Sequence, residues 1–404
     1  MASTYVYRVR DKQGKVITGS LEGDSKNLVV TKLRQMGYVI LDVNEKSLAS
    51  KELAIPGLSK KVKAKDLTIF SRQFATMINA GLSLTKSLSI LAEQTENKAL
   101  RGIVGELLQD VEKGRALSEA MIKHASTFPS IFINMVKAGE AGGVLDEVLL
   151  RVADHFENEA AIKSKIKSAM AYPTVMFGMS MLITFILITF IVPVFAKMFS
   201  QMGGQLPTPT QILLNLSGFM QRFWWLIIIM LVAAYFAFRS YSKTEKGRVN
   251  VDNVKLKLPI FGKLVQKMSI GRFSRTLGTL LSSGVPILQA LDIVADSAGN
   301  AIVARAVRAT RASIKEGETI AKPLLGEKVF PPMVVQMIAV GEETGALDAM
   351  LVKIADFYDA EVANAVETLT SVLEPLLIVT MGVMIGGIII SLYMPMFQII
   401  TLIK

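Results

Sequence analysis

At 404 residues, with 51% hydrophobic content and a mean hydropathy of +0.43, the chain is too apolar for an ordinary soluble protein and long enough for two or three domains. Its 45 basic and 34 acidic residues leave a net charge of +11. The basic residues cluster beside apolar segments, which implies anionic lipid headgroups as partner and argues against nucleic acid. The absence of cysteine excludes disulfides, thiolate nucleophiles and cysteine-based zinc sites.

Residues 1–44 read as a small α+β module, with strands at 5–9 and 16–21 around a turn at 11–15, an amphipathic helix at 25–36 closed by Gly37, and a third strand at 38–43. These residues alternate polar and apolar without a central apolar run, so no cleavable signal peptide is expected. Residues 45–65, with Pro56-Gly57 and six lysines, form a basic linker.

A first helical domain follows at 66–168. Asp66 is expected to cap a helix ending at Gly81, and further helices span 84–95, 96–113 before Gly114, and a short piece near 117–124. A fifth begins at Pro129, and a sixth runs from Leu145 toward Tyr172-Pro173 with no stop but the proline, so it continues into the membrane with a kink at Pro173. No charge occurs between Lys167 and Lys197 or between Glu374 and Lys404, and each run exceeds the roughly 20 apolar residues that cross a bilayer. These give transmembrane helices at 169–197 and 374–403. A shorter run gives one at 219–238, with Arg222 snorkelling beside Trp224 and Trp225. Residues 198–218 then form an external loop, 239–266 a basic cytoplasmic linker, and 267–373 a second helical domain with stops at Gly284, Gly317 and Pro331-Pro332 and a kink at Pro375. Arg239, Lys243, Lys246 and Arg248 follow the second span, and Lys163, Lys165 and Lys167 precede the first. The N-terminus is therefore expected in the cytoplasm and the C-terminus outside.

The chain is one unit built twice. Residues 137–159 recur at 339–361, offset by 202, with Gly139/Gly341, Glu140/Glu342, Gly143/Gly345, Leu145/Leu347, Asp146/Asp348, Leu149/Leu351, Ala153/Ala355, Asp154/Asp356 and Glu159/Glu361 identical. The same offset pairs Pro193 with Pro395, and an offset of 203 pairs Phe70-Ser71-Arg72 with Phe273-Ser274-Arg275. Both copies enter the membrane from one face, so any pseudo-twofold axis lies along the membrane normal. The fold expected is an all-α membrane protein with two repeated cytoplasmic six-helix bundles, three transmembrane helices and the small N-terminal α+β module.

Chemistry is hard to find in this pattern. No phosphate-binding loop exists, and the two histidines, His124 and His155, lie in no H-E-x-x-H motif. The acidic residues Glu140, Asp146, Glu147 and Asp154 follow no EF-hand-like ladder. No catalytic residue, cofactor or metal is expected. The repeated G-E-x-x-G-x-L-D has a readable logic: Gly139 and Gly341 permit close helix approach, Gly143 and Gly345 take the left-handed turn, and Asp146 and Asp348 favour the positive start of the sixth helix. Glu140 and Glu342 bond either to the loop or to Arg72 and Arg275, or they face a partner. Lys165 aligns with Glu367 across the repeat, a candidate pairing between repeats or subunits.

The doubled F-S-R…G-E-x-x-G-x-L-D, the Tyr172-Pro173 and Glu374-Pro375 entries to the spans, and the run Ala92–Leu100 (AEQTENKAL) resemble the PilC/GspF family of inner-membrane platform proteins of type IV pili and type II secretion. The resemblance covers about residues 5–397 and is closer to the pilus branch. It implies a non-enzymatic, homo-oligomeric platform, expected as a dimer, in the bacterial inner membrane. Its implied partners are cytoplasmic hexameric pilus ATPases for extension and retraction, pilin subunits, inner-membrane alignment proteins and membrane lipids. A type II secretion platform is the nearer alternative, and a transporter or channel the alternative of another class.

Overall fold

The computed structural model describes residues 3–10, 16–23, 26–45, 61–201, 206–259 and 261–402, so the expected 11–15 turn and most of the 45–65 linker lie outside the described residues. The chain divides into two units, 1–61 and 62–404. In the first, β1 (Ser3–Arg10), β2 (Val16–Gly23), α1 (Lys26–Gln35) and β3 (Val39–Glu45) build an antiparallel sheet of order β2-β1-β3, with a register shift at Arg8/Val9. Its core is small, centred on Val9, Val29 and Leu33.

The second unit begins with α2 (Ala64–Asn79), α3 (Leu84–Gln94), α4 (Lys98–Glu112), α5 (Leu117–Ile122), α6 (Ser130–Gly142) and α7 (Leu145–Ile186). A π-helical segment, Leu187–Ile191, joins α7 to α8 (Val192–Gln201), and α9 (Thr208–Tyr241) and α10 (Glu245–Lys257) follow. The second copy comprises α11 (Phe261–Ser282), α12 (Ile287–Ser297), α13 (Ala301–Lys315), α14 (Ala321–Leu325), α15 (Pro332–Thr344) and α16 (Leu347–Leu402).

Sequence chemistry accounts for the helix starts. Asn97 accepts from the N–H groups of Ala99 and Leu100, and Asn300, its counterpart 203 residues on, accepts from Ile302 and Val303. Asp66 acts differently from expectation. The helix starts two residues before it, and Asp66 accepts instead from the Lys63 N–H at 2.9 Å and from Asn97 Nδ2 at 2.6 Å. One apolar core runs through both copies. In the first, Phe70, Phe74, Phe128, Phe132 and Phe156 form a chain of ring contacts with centroids 5.5–6.5 Å apart, and in the second Phe273 meets Phe330 edge to face at 5.1 Å.

Among the described residues three helices are long and apolar enough to cross a membrane: those within Leu145–Met198, Thr208–Tyr241 and Leu347–Pro395. Side chains such as Phe177, Ile229 and Val379 are exposed along them, as lipid contact requires. Two connecting segments differ from expectation. Much of the 198–218 loop is helical, because α8 runs to Gln201 and α9 starts at Thr208. Much of the 239–266 linker is α10, capped by Thr244 and tied to α13 by Asp252, which accepts from the Ala301 N–H at 2.9 Å. Helix α9 breaks at Phe223, whose φ is −119°, so its segments before and after Phe223 are separate rods.

Helix α9 also solves a problem that the two aligned prolines create. In α geometry the N–H at position 193 would serve the Thr189 carbonyl, and that at 395 the Ser391 carbonyl, yet both positions are proline. In hydrocarbon an orphaned carbonyl costs several kcal/mol. Gln221 Nε2 donates to the Thr189 carbonyl at 2.6 Å, and Thr210 Oγ1 donates to the Ser391 carbonyl at 2.5 Å. One helix thus supplies both missing donors. The π-helical segment sits where the first proline ring must be accommodated.

Thr210→Val should therefore lower the thermal stability of the detergent-solubilised chain by about 1–2 kcal/mol. In a Pro395→Ala background, which restores the N–H, that cost should shrink by at least half. An undiminished cost would mean that Thr210 contributes only packing.

Candidate functional site

The repeated motif organises each α6–α7 and α15–α16 corner. Gly143 and Gly345 have φ of 69° and 72°, the left-handed turn that ends the first helix of each pair. A Cβ on Gly139 would stand 3.0 Å from Val148 Cβ, and one on Gly341 3.0 Å from Leu347 Cα, so both glycines let the helices close on each other. Asp146 and Asp348 lie in the first turns of α7 and α16, where the helix dipole favours a carboxylate.

Glu140 and Glu342 are not paired with the arginines. Glu140 accepts from the Leu117 N–H at 2.5 Å, the Ser118 N–H at 3.1 Å and Ser118 Oγ at 2.5 Å. Glu342 accepts from the Ile320 N–H through both oxygens, at 2.9 and 3.0 Å. The residues opening α5 and α14, Ala116 and Ile320, have no capping side chain of their own. Each glutamate is a cap delivered from 22 or 23 residues away, locking a short helix onto the corner.

The arginines take other partners. Arg72 donates to Glu157 at 2.5 and 2.6 Å and to Asp154 at 2.5 Å, joining α2 to α7. Arg275 donates to Asp356 at 2.8 Å and Asp359 at 2.6 Å, joining α11 to α16. The hydrogen bond from Arg72 holds the Glu157 carboxyl below its ordinary range. Spacing alone does not identify these partners. The signal available was the repetition itself, since Arg72/Arg275 and Asp154/Asp356 recur together.

Where the repeats meet, Arg151 Nη1 donates to the Ser282 carbonyl at 2.7 Å and Gln289 Nε2 donates to Asn134 Oδ1 at 2.6 Å. Beside them a cavity of about 380 Å³ is lined by His155, Glu159 and Lys163 of α7 and by Arg272 and Arg275 of α11. The Nδ1 of His155 and the Nε of Arg275 are buried there without a hydrogen-bond partner. Burial pushes the His155 imidazole down to about 4, with Arg275, Arg272 and Lys163 reinforcing the effect and Glu159 opposing it. His155 was read in the sequence only as a residue outside any catalytic motif; its place at the seam depends on how the repeats dock.

Lys165 Nζ lies 3.4 Å from Glu367 within the chain, with both side chains largely exposed, a setting in which an ion pair contributes at most about 1 kcal/mol. Pro173 and Pro375 lie inside helices α7 and α16, and π-helical or non-helical backbone occurs at Leu187–Ile191 and Phe223. Among the described residues no group of three or more His, Asp or Glu side chains is placed to hold a metal ion, so Glu140, Asp146, Glu147 and Asp154 do not gather.

The chain belongs to the type II secretion system protein F family, whose profile matches twice, at residues 70–193 and 273–395, and whose N-terminal domain matches residues 1–44. The chain is 43% identical over 399 residues to the type IV pilus assembly protein PilC of Thermus thermophilus, covering 98% of each chain. It is 41% identical over 395 residues to PilC of Myxococcus xanthus, covering 98% of this chain and 94% of that one. Similarity to the type II secretion system protein F of Xanthomonas campestris is lower, 32% over 401 residues and 98% of each chain. With three candidate spans, membership of this family makes the chain a multi-pass inner-membrane protein.

Glu140→Ala leaves two backbone donors of α5 without an acceptor and should cost about 1–3 kcal/mol in denaturant unfolding of the solubilised chain. Glu140→Gln, which keeps an acceptor oxygen, should cost less. Equal losses would show that charge, not capping, is what matters. Acid gives a second check. Unfolding returns His155 to its ordinary value of 6.5, so between about 4 and 6.5 the unfolded chain binds the extra proton. The stability linked to His155 is complete above that window and lost as pH falls through it. His155→Phe should flatten the difference in denaturation midpoint between about pH 7 and about pH 5, as followed by tryptophan fluorescence.

Proposed function

We propose that this chain is the inner-membrane platform of a type IV pilus assembly machine, coupling a cytoplasmic hexameric ATPase to the insertion or removal of pilin subunits. The observation that carries the reading is the gradient of similarity: over nearly the whole chain, identity is 43% and 41% to proteins named for pilus assembly and 32% to one named for type II secretion. The repeats act as two six-helix bundles on the cytoplasmic side of the membrane, the N-terminal α+β module lies on that side too, and the C-terminus is outside. The basic residues following the second span support that orientation. The platform works as a homo-oligomer, a dimer in its simplest form, among pilins, alignment proteins and lipids, and it has no catalysis of its own.

A transporter reading is less well supported. The uncharged runs 168–196 and 375–403 offer no ionisable group at mid-membrane, where a solute or ion path would need one. Force transmission needs none. It needs a rigid connection from the motor side into the bilayer, which α7 and α16 supply as single helices.

The test is to measure hydrolysis by the hexameric ATPase encoded with this chain, with and without the purified protein in lipid nanodiscs, alongside filament assembly in a strain lacking it. The expected result is a severalfold change in the motor's turnover, no hydrolysis by this chain alone, and loss of surface filaments in the deletion strain. Filaments that persist while protein secretion fails would move the assignment to the secretion branch.

A further inference from the structure

The equivalent helices α7 and α16 pack on each other through Ile162, Ile166, Val362 and Val366, but above that contact the two repeats meet head to tail. The first offers one face of α6 and α7, and the second answers with a different face, that of α11 and α12. Because the units are copies, each face has a duplicate elsewhere in the chain. A contact between unlike faces of repeated units leaves one of each unused at the ends, and such a contact propagates until a ring closes.

The unused duplicates carry the mark of a missing neighbour. Ile131 is buried and Asn134, Arg151 and His155 are half-buried at the seam, whereas their counterparts 202 residues on, Met333, Gln336, Lys353 and Phe357, are all exposed. On the answering side Thr276 and Thr279 are buried and Arg272 half-buried, whereas their counterparts 203 residues back, Gln73, Thr76 and Ile69, are all exposed. Phe357 is 47% exposed and Ile69 46%, large apolar side chains on domains well clear of the uncharged spans.

The chemistry of the two open faces also matches. His155 and Arg272 line one cavity in the intrachain seam, and at the matching positions the open faces would bring together Phe357 and Ile69. Lys353 keeps the cation of Arg151, and opposite it the Asn79 carbonyl stands at the end of α2 as that of Ser282 does at the end of α11. Gln336 keeps the amide of Asn134, and Lys86 replaces Gln289 as its donor. Each polar pair retains one donor and one acceptor, while the titratable contact becomes apolar.

We infer that the α15–α16 face of one chain docks onto the α2–α3 face of a second copy, reusing between chains the contact that joins the repeats within a chain. The inference rests on the self-association included in the platform reading. Helices α7 and α16 leave their domains in the same direction toward the apolar segments, so copies related by this contact share one membrane plane. The assembly is a ring of repeats about the membrane normal, and the rotation between repeats sets the number of chains.

The chain has no cysteine, which makes the contact directly testable. The double variant Ile69→Cys/Phe357→Cys, expressed in a strain without pilus genes, should give an intermolecular adduct when membranes are treated with a short bis-maleimide. Co-expressed chains carrying one change each should cross-link to one another, and neither single variant should cross-link to itself. Asn134→Cys/Gln289→Cys serves as the intrachain control. A double variant that stays monomeric while the control reacts would overturn the proposal, as would adducts formed by either single variant alone. Phe357→Lys should reduce the oligomer extracted in detergent at least tenfold, and Ile69→Glu in the same chain should restore it. Purified pilin or ATPase that, added to those membranes, shields position 357 where a second copy does not would also overturn the contact. Because no filament is made in that strain, failure here leaves the pilus reading to its own test.

Discussion

A continuous helix running from each helical domain into a membrane span is the constraint on which the rest of this structure depends. Helix α16 has 56 residues and α7 has 42, which at about 1.5 Å per residue makes each a rod longer than a membrane is thick. A displacement of either domain must therefore move its span. The elements around the rods keep this coupling stiff: Arg72 and Arg275 tie the opening helix of each repeat to the rod, and the glutamate caps lock a short helix to the corner from which the rod starts.

The main-chain ladder loses a donor at each proline, and the losses at 193 and 395 are made good by one helix. Gln221 and Thr210 each reach a carbonyl that the local sequence leaves short. Water cannot serve those carbonyls within the hydrocarbon, so the donor has to come from protein. This gives the returning helix α9 a structural task beyond reversing the chain, and it explains why its segment before Phe223 is helical and packed while the rest is lipid-exposed.

Duplication supplied two equal units, and their surfaces then diverged according to what each touches. His155 lines a seam cavity together with Arg272 and Arg275, and Phe357 occupies the same repeat position on an open face. The core changed in the other direction: Phe74, Phe132 and Phe156 correspond to Leu277, Val334 and Tyr358 in the second copy, while Phe70 and Phe128 keep phenylalanine at Phe273 and Phe330. The repeats hold the same fold and are not interchangeable.

Much of this was legible without coordinates. Uncharged runs longer than a bilayer is thick, a 202-residue repeat, and glycines and asparagines at helix ends are local or periodic signals, each with a direct physical cause in hydrocarbon transfer or backbone hydrogen bonding. The helical character of 208–218 and 245–257 was not legible, because those helices are held by contacts with distant partners such as Ser391 and Ala301 rather than by strong local pattern. The site residues divide the same way. The sequence determined that Glu140, Arg72 and Asp154 recur as a set, since repetition is visible in one dimension. Only the tertiary structure decided that the glutamate caps α5 and the arginine grips α7, because which donor meets which acceptor across 22 to 85 residues depends on how helices pack.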